Sequence, residues 1–260
     1  MTLRVQGRVF RVVILLTLAL VAFFGVIVAQ PALIGGLAGD PSGGHIGQHF
    51  REPHHRIHDL AFGLLLGTTA IGAFVQLRAP GKNVAGQLMA AIPIVALVLA
   101  AVAGDRRVLA IPWVAVGAPT IVATLLHPDL FRSISRIRPA GSMVALVAIA
   151  ALPLLAFALS NIGLQRTGAN DHAALGHYGY MAAYALTVVA VGIVSSLRLE
   201  GWTLVARIAG ALAVFLGVAS LVFPDVEGSV GAVWAAATTA WGVGYIAIAE
   251  IVRRDDRGVL

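Results

Sequence analysis

Hydrophobic residues in this chain come in long blocks rather than in helical or alternating stripes. Eight runs are apolar around their whole circumference: 10–29, 59–77, 85–103, 108–126, 142–163, 177–197, 202–223 and 229–250. A helix needs about 20 apolar residues to cross the hydrocarbon core of a bilayer. The pattern therefore predicts an all-α integral membrane protein with eight transmembrane helices. Arg4, Arg8 and Arg11 precede the first run, as in a secretory leader. That run is longer than the 7–15 apolar residues of a typical leader. It reads as an uncleaved first helix, with a cleaved signal as the alternative.

Polar segments between the runs set the connectivity. Gly104-Asp105-Arg106-Arg107 is nearly all that joins the third and fourth spans, so these form an antiparallel hairpin. Three connections are longer: 30–58, 127–141 and 164–176. In 127–141, Leu130, Phe131, Ile134 and Ile137 fall on one helical face, with Arg132 and Arg136 off it. This predicts an amphipathic helix on the membrane surface; a plain hinge between two halves, 1–126 and 142–260, fits the pattern equally well. His58 to Arg78 and His177 to Arg198 span similar lengths, and Gly81 and Gly201 follow. Two parallel four-helix repeats explain that echo, as does the ease with which Ala- and Val-rich sequence aligns with itself.

Charge orients the spans. With the N-terminus inside, the inner segments carry Arg4, Arg8, Arg11, Arg78, Lys82, Arg132, Arg136, Arg138, Arg198, Arg253, Arg254 and Arg257, and Arg207 snorkels to the same side. The outer segments carry only Arg51, Arg56, Arg106, Arg107 and Arg166. The positive-inside rule then places both termini in the cytoplasm of a cell-membrane protein.

Composition narrows the class. Apolar residues make up 59% of the 260, charged residues 12%, and mean hydropathy is +0.90, which excludes a soluble globular or disordered chain. The net charge of +6 follows from basic cytoplasmic loops and implies no nucleic-acid partner. The absence of cysteine excludes disulfides, thiolate metal sites, iron–sulfur clusters and Cys nucleophiles. The span interiors lack the acidic or basic residues of ion-coupled transporters. They hold Thr68, Thr69, Thr187, Thr238 and Thr239, which can bond to their own helices.

Candidate chemistry lies in the histidines. His45, His49, His54, His55 and His58 crowd the segment before the second span, and His172 and His177 lead into the sixth. Only His127 belongs to the opposite side. His54 and His58 are four apart, as are His55 and Asp59, and such pairs share a helical face. His172 and His177 are five apart, about 140° around a regular helix. They share a centre only if the chain is distorted between them. Met181 lies four residues after His177, with Tyr180 and Tyr184 flanking the same face.

Clustered imidazoles with nearby carboxylates are what a transition metal needs in the absence of thiolates. The expected ligands are His54, His55, His58, His172, His177 and Met181. Asp59 and Asp171 would be ligands, catalytic bases or groups that orient the imidazoles, and Asp171 with Asn170 also suits a helix cap. Methionine favours copper; iron is equally suited to imidazole, zinc is an alternative and haem b is less favoured. The spans at 59–77 and 177–197 should then be neighbours, with His58 and His177 within coordination reach. The leading reading is a metal-dependent membrane oxidoreductase or hydrolase with a small or lipophilic substrate. The alternatives are a non-enzymatic metal-handling or transport protein, and an assembly factor with a membrane partner subunit. A pH-responsive patch and a set of merely solvated interface histidines complete the range.

Overall fold

A computed structural model describes residues 3–37 and 53–258, with side chains at 6–26, 56–80, 82–107 and 109–256. His45 and His49 lie outside the described residues, as do the side chains of His54 and His55. Every regular element among the described residues is helical. The order is α1 (Leu3–Leu37), α2 (Pro53–Arg78), α3 (Val84–Ala103), α4 (Arg107–Leu126), α5 (Leu130–Ile134), α6 (Gly141–Thr167), α7 (Asp171–Leu175), α8 (His177–Ser196), α9 (Trp202–Val222) and α10 (Ala232–Gly258). A 3₁₀ turn, Pro80–Lys82, joins α2 to α3. Eight of these helices are long and apolar enough to cross a membrane, the architecture of a multi-pass membrane protein.

Two expectations are corrected. The segment 30–58 is not all loop, because α1 runs on to Leu37 and α2 already starts at Pro53. Proline suits a first helical position, where its missing N–H has no intrahelical role. Three of the expected site histidines therefore stand on helical backbone. The connection 127–141 forms only a single helical turn, Leu130–Ile134. Leu130 is buried while Phe131, Ile134 and Ile137 are exposed, so the expected apolar face is split between core and surface. Trp113 is buried against Phe24 and Phe62.

Helix neighbours follow one scheme in both halves. α1 packs on α2 and α4, and α3 on α2 and α4; likewise α6 packs on α8 and α10, and α9 on α8 and α10. The halves meet through α2 and α3 against α8 and α9. α3 and α8 are consequently the most buried helices, whereas α1, α6 and α10 keep most of their surface outward. Their outward side chains, such as Val12, Leu152, Leu159 and Val233, are the apolar surface that lipid would cover. Most threonines bond within their own helices, as in Thr68 to Leu64 O at 2.7 Å and Thr187 to Ala183 O at 2.7 Å. Thr69 Oγ1 is buried and has no hydrogen-bond partner among the described residues.

The end of the bundle carrying Arg78, Arg138 and Arg198 is tied by polar contacts. Arg198 pairs with Asp256 at 3.1 Å, and Arg207 donates to Glu250 from Nε at 2.8 Å. His127 is also here and is buried. Its Nε2 lies 3.0 Å from Pro80 O, and its Nδ1 accepts from the Asp129 N–H at 3.2 Å. It is the satisfied residue its isolated position predicts.

Candidate metal centre

The opposite end brings α2, α6, α8 and the α9–α10 loop together. On α2 the inward face is His58, Ala61, Phe62 and Leu65, all buried at helical spacing. His58 is the polar member of that face and is fully buried. Arg56 and Leu60, off the face, are exposed.

The second pair of imidazoles depends on a break in the chain. Asn170 caps α7, accepting from the Ala173 N–H at 3.1 Å, and α7 ends after a single turn at Gly176. Gly176 has φ +83°, a left-handed conformation that an L side chain adopts only at a cost. A Cβ there would also stand 2.8 Å from Leu109 Cδ1. α8 then starts at His177. This is the distortion the five-residue spacing requires. It folds His172 back until its Nδ1 is 3.2 Å from His177 Nδ1. Gln165 of α6 holds the break from outside: its Nε2 donates to Ala173 O at 2.5 Å and its Oε1 accepts from the Gly179 N–H at 3.0 Å.

His58, His172 and His177 converge at this point. Each offers a ring nitrogen, and those nitrogens lie within 4.8 Å of one another, a group that can hold a metal ion. The ring centroids are 5.0 Å apart for His58 and His172, 5.1 Å for His58 and His177 and 5.4 Å for His172 and His177. Two nitrogens about 2.0–2.1 Å from one ion at the tetrahedral angle would stand about 3.3 Å apart. The His172–His177 separation of 3.2 Å already matches that spacing. His58 and His177 are buried and His172 is half-buried, so the centre is reached from the His172 side.

The α9–α10 loop covers the centre. Gly228, at φ +90°, sits directly over His58: a Cβ there would be 2.7 Å from His58 Cε1, 3.4 Å from Met181 Cγ and 3.5 Å from Asn161 Oδ1. The neighbouring Glu227 anchors the loop, accepting from the Tyr178 hydroxyl and from Asn170 Nδ2, the latter at 3.3 Å. Asn170 Nδ2 also donates to the Tyr178 oxygen at 2.9 Å. Tyr178 in turn packs edge-on to His58 with centroids 5.9 Å apart.

Among the expected site residues, His58, His172 and His177 form the cluster, and Met181 is buried beside His58. The backbone of α2 carries residue 54 one turn before His58 and residue 55 one turn before Asp59. Asp59 is half-buried one residue beyond His58, and Asp171 is exposed at the start of α7. Neither carboxylate belongs to the metal-capable group. Sequence reasoning did not single out Gln165, Tyr178, Glu227 or Gly228. A glutamine just past the end of an apolar run and a glycine beside a glutamate in a short loop were the available signals. No protein-family model, curated protein or solved structure matches the chain.

Proposed function

We propose that this chain is a multi-pass membrane metalloprotein whose His58, His172 and His177 bind one transition-metal ion, and that the ion serves an oxidoreductase acting on a small or lipophilic substrate. The observation that carries the reading is the convergence of three imidazoles, two of them buried, at one end of the bundle. Neutral imidazoles suit copper, zinc and iron, whereas magnesium and calcium prefer oxygen ligands. Copper and iron are favoured, with zinc as the alternative, and Met181 stands beside His58. The three rings pack against one another too closely for a porphyrin to lie between them, which disfavours haem b.

Three protein ligands leave a further coordination position for water or substrate, the arrangement of a reactive rather than a structural site. Asp59 is the better placed of the two candidate proton acceptors, being half-buried next to a ligand, and Asp171 is the solvent-facing one. Burial of His58 and His177 beneath a loop argues for a resident ion rather than transient cargo. The histidines at 45, 49, 54 and 55 favour metal handling as a second reading, since a run of imidazoles can collect an ion from solution.

We also read the two halves as duplicated units with parallel orientation, a reading supported by their common neighbour scheme. With both termini cytoplasmic by the positive-inside rule, the centre opens on the extracytoplasmic side. Metal analysis with optical and electron paramagnetic resonance spectra of the purified full chain tests the function. The expected result is about one ion per chain, lost in His58→Ala and His177→Ala and kept in His127→Ala. Full occupancy in the first two variants, or no specific metal in the wild type, overturns it.

A further inference from the structure

Asn161, near the end of α6, is 2% exposed. Its Nδ2 donates to Phe157 O at 3.0 Å, one turn back on its own helix. That bond turns the amide so that Oδ1 faces away from α6. Oδ1 is buried and has no hydrogen-bond partner. A buried carbonyl oxygen in that state is uncommon in folded proteins, because the water it loses is not replaced. It borders the histidine centre: Oδ1, His58 Cε1 and Met181 Cγ all lie within 3.5 Å of the point above Gly228 Cα where a Cβ would stand.

The neighbouring polar groups are otherwise engaged. Glu227 accepts from Tyr178 and Asn170, and Gln165 is used at both ends by Ala173 and Gly179. Met181, buried and apolar, borders the same point. An amide oxygen is a hard donor and competes poorly for an ion that imidazoles suit. Its role is therefore toward whatever occupies the ion's remaining position.

Resting on the metal-centre reading above, we infer that Asn161 Oδ1 accepts a hydrogen bond from the metal-bound ligand, and that this ligand is a small neutral molecule carrying hydrogen on its coordinating atom: water, a hydroxy compound or an amine. The pocket selects by polarity. A ligand with O–H or N–H gains the bond, while an aprotic anion meets only a lone pair and a thioether wall.

The test uses the full chain loaded with cobalt(II), whose visible bands report the coordination sphere. Hydrazine, with N–H on its coordinating atom, and thiocyanate, which has none, are titrated into wild type and Asn161→Leu. The expected result is one cobalt per chain in both, with hydrazine affinity about tenfold weaker in the variant, the range of a single hydrogen bond, and thiocyanate affinity unchanged within about twofold. Asn161→Ala, which removes the amide without adding apolar bulk, provides the second variant: it should show the same selective loss of hydrazine affinity. Equal losses for both ligands in Asn161→Leu and Asn161→Ala, or no loss for either ligand, overturns the inference while leaving the metal centre standing. A wild type that takes up no cobalt removes both.

Discussion

Replacing Gly228 by alanine places a methyl group where His58 already stands. The added Cβ would be 2.7 Å from His58 Cε1, and carbon atoms in contact normally sit about 3.5–4.0 Å apart. Ring and loop must therefore separate by about 0.8 Å or more. The loop is held on both sides of the contact. Glu227 is bonded to Tyr178 and Asn170, and the Val230 N–H donates to Ser220 Oγ at 3.3 Å. The His58 ring is the element that yields. Metal–ligand distances are tolerated to within about 0.2 Å, so a displacement of this size removes His58 from a productive position. A loss of about 10–100-fold in metal affinity is expected, the range seen when groups supporting a ligand are disturbed.

Gly231 provides the control. It has φ +74° in the same loop, but a Cβ there meets nothing within 4 Å. Both alanine variants incur the left-handed backbone cost of about 1–2 kcal/mol, and both should melt earlier than the wild type in detergent. Only Gly228→Ala should lose metal, measured by competition with a calibrated chelator. The reasoning is refuted if the two variants bind metal equally well, because the loop would then not bear on the ligand.

Two further predictions concern the frame. The chain has no cysteine, so single-cysteine variants report topology against a silent background: with both termini cytoplasmic, an impermeant maleimide added to intact cells should label Ala169→Cys and not Ser135→Cys, and the reverse pattern would invert every placement of the centre. Burial lowers the pKa of His127 below its ordinary 6.5, the hydrogen bond to Pro80 and the charges of Asp129 and Glu200 opposing it only in part. A lowered pKa means that the folded state prefers the neutral ring, so this contribution is present above about pH 6.5 and is lost as pH falls through the folded value. The melting temperature of wild type relative to His127→Gln should therefore drop on acidification, and a constant difference from pH 8 to about pH 5 would contradict the assignment.

The spans were legible because lipid offers no hydrogen bonds. A crossing segment must close its backbone internally and show an apolar surface, which leaves a long uniform block in the sequence. Their ends were less legible. The first span reads as 10–29 with a loop after it, yet the helix continues to Leu37. His58 and His177 were legible as facing residues because each opens a span at an equivalent place. The contribution of His172 was legible only as a condition, since spacing alone puts it off the face and a left-handed Gly176 brings it back. The lid over the centre was not legible at all. Residues 224–228 read as a short acidic turn, and no pattern within a turn says which distant ring it covers.

What distinguishes the polar residues of the long helices is where their polar groups are directed. Thr68, Thr187, Thr238 and Thr239 each bond one turn back on their own helix, which satisfies them without a partner element. Gln165 is too long for that habit and instead bridges α7 and α8. Asn161 adopts the habit with its NH₂ and has an oxygen left over. A two-ended amide in an apolar helix cannot be satisfied locally at both ends, so it must reach a neighbour, a water or a ligand. In a chain with so few polar groups, the amides in the spans are therefore as informative as the histidines. Gln165 and Asn161 lie four residues apart on α6, and both face the end of the bundle where the three imidazoles meet.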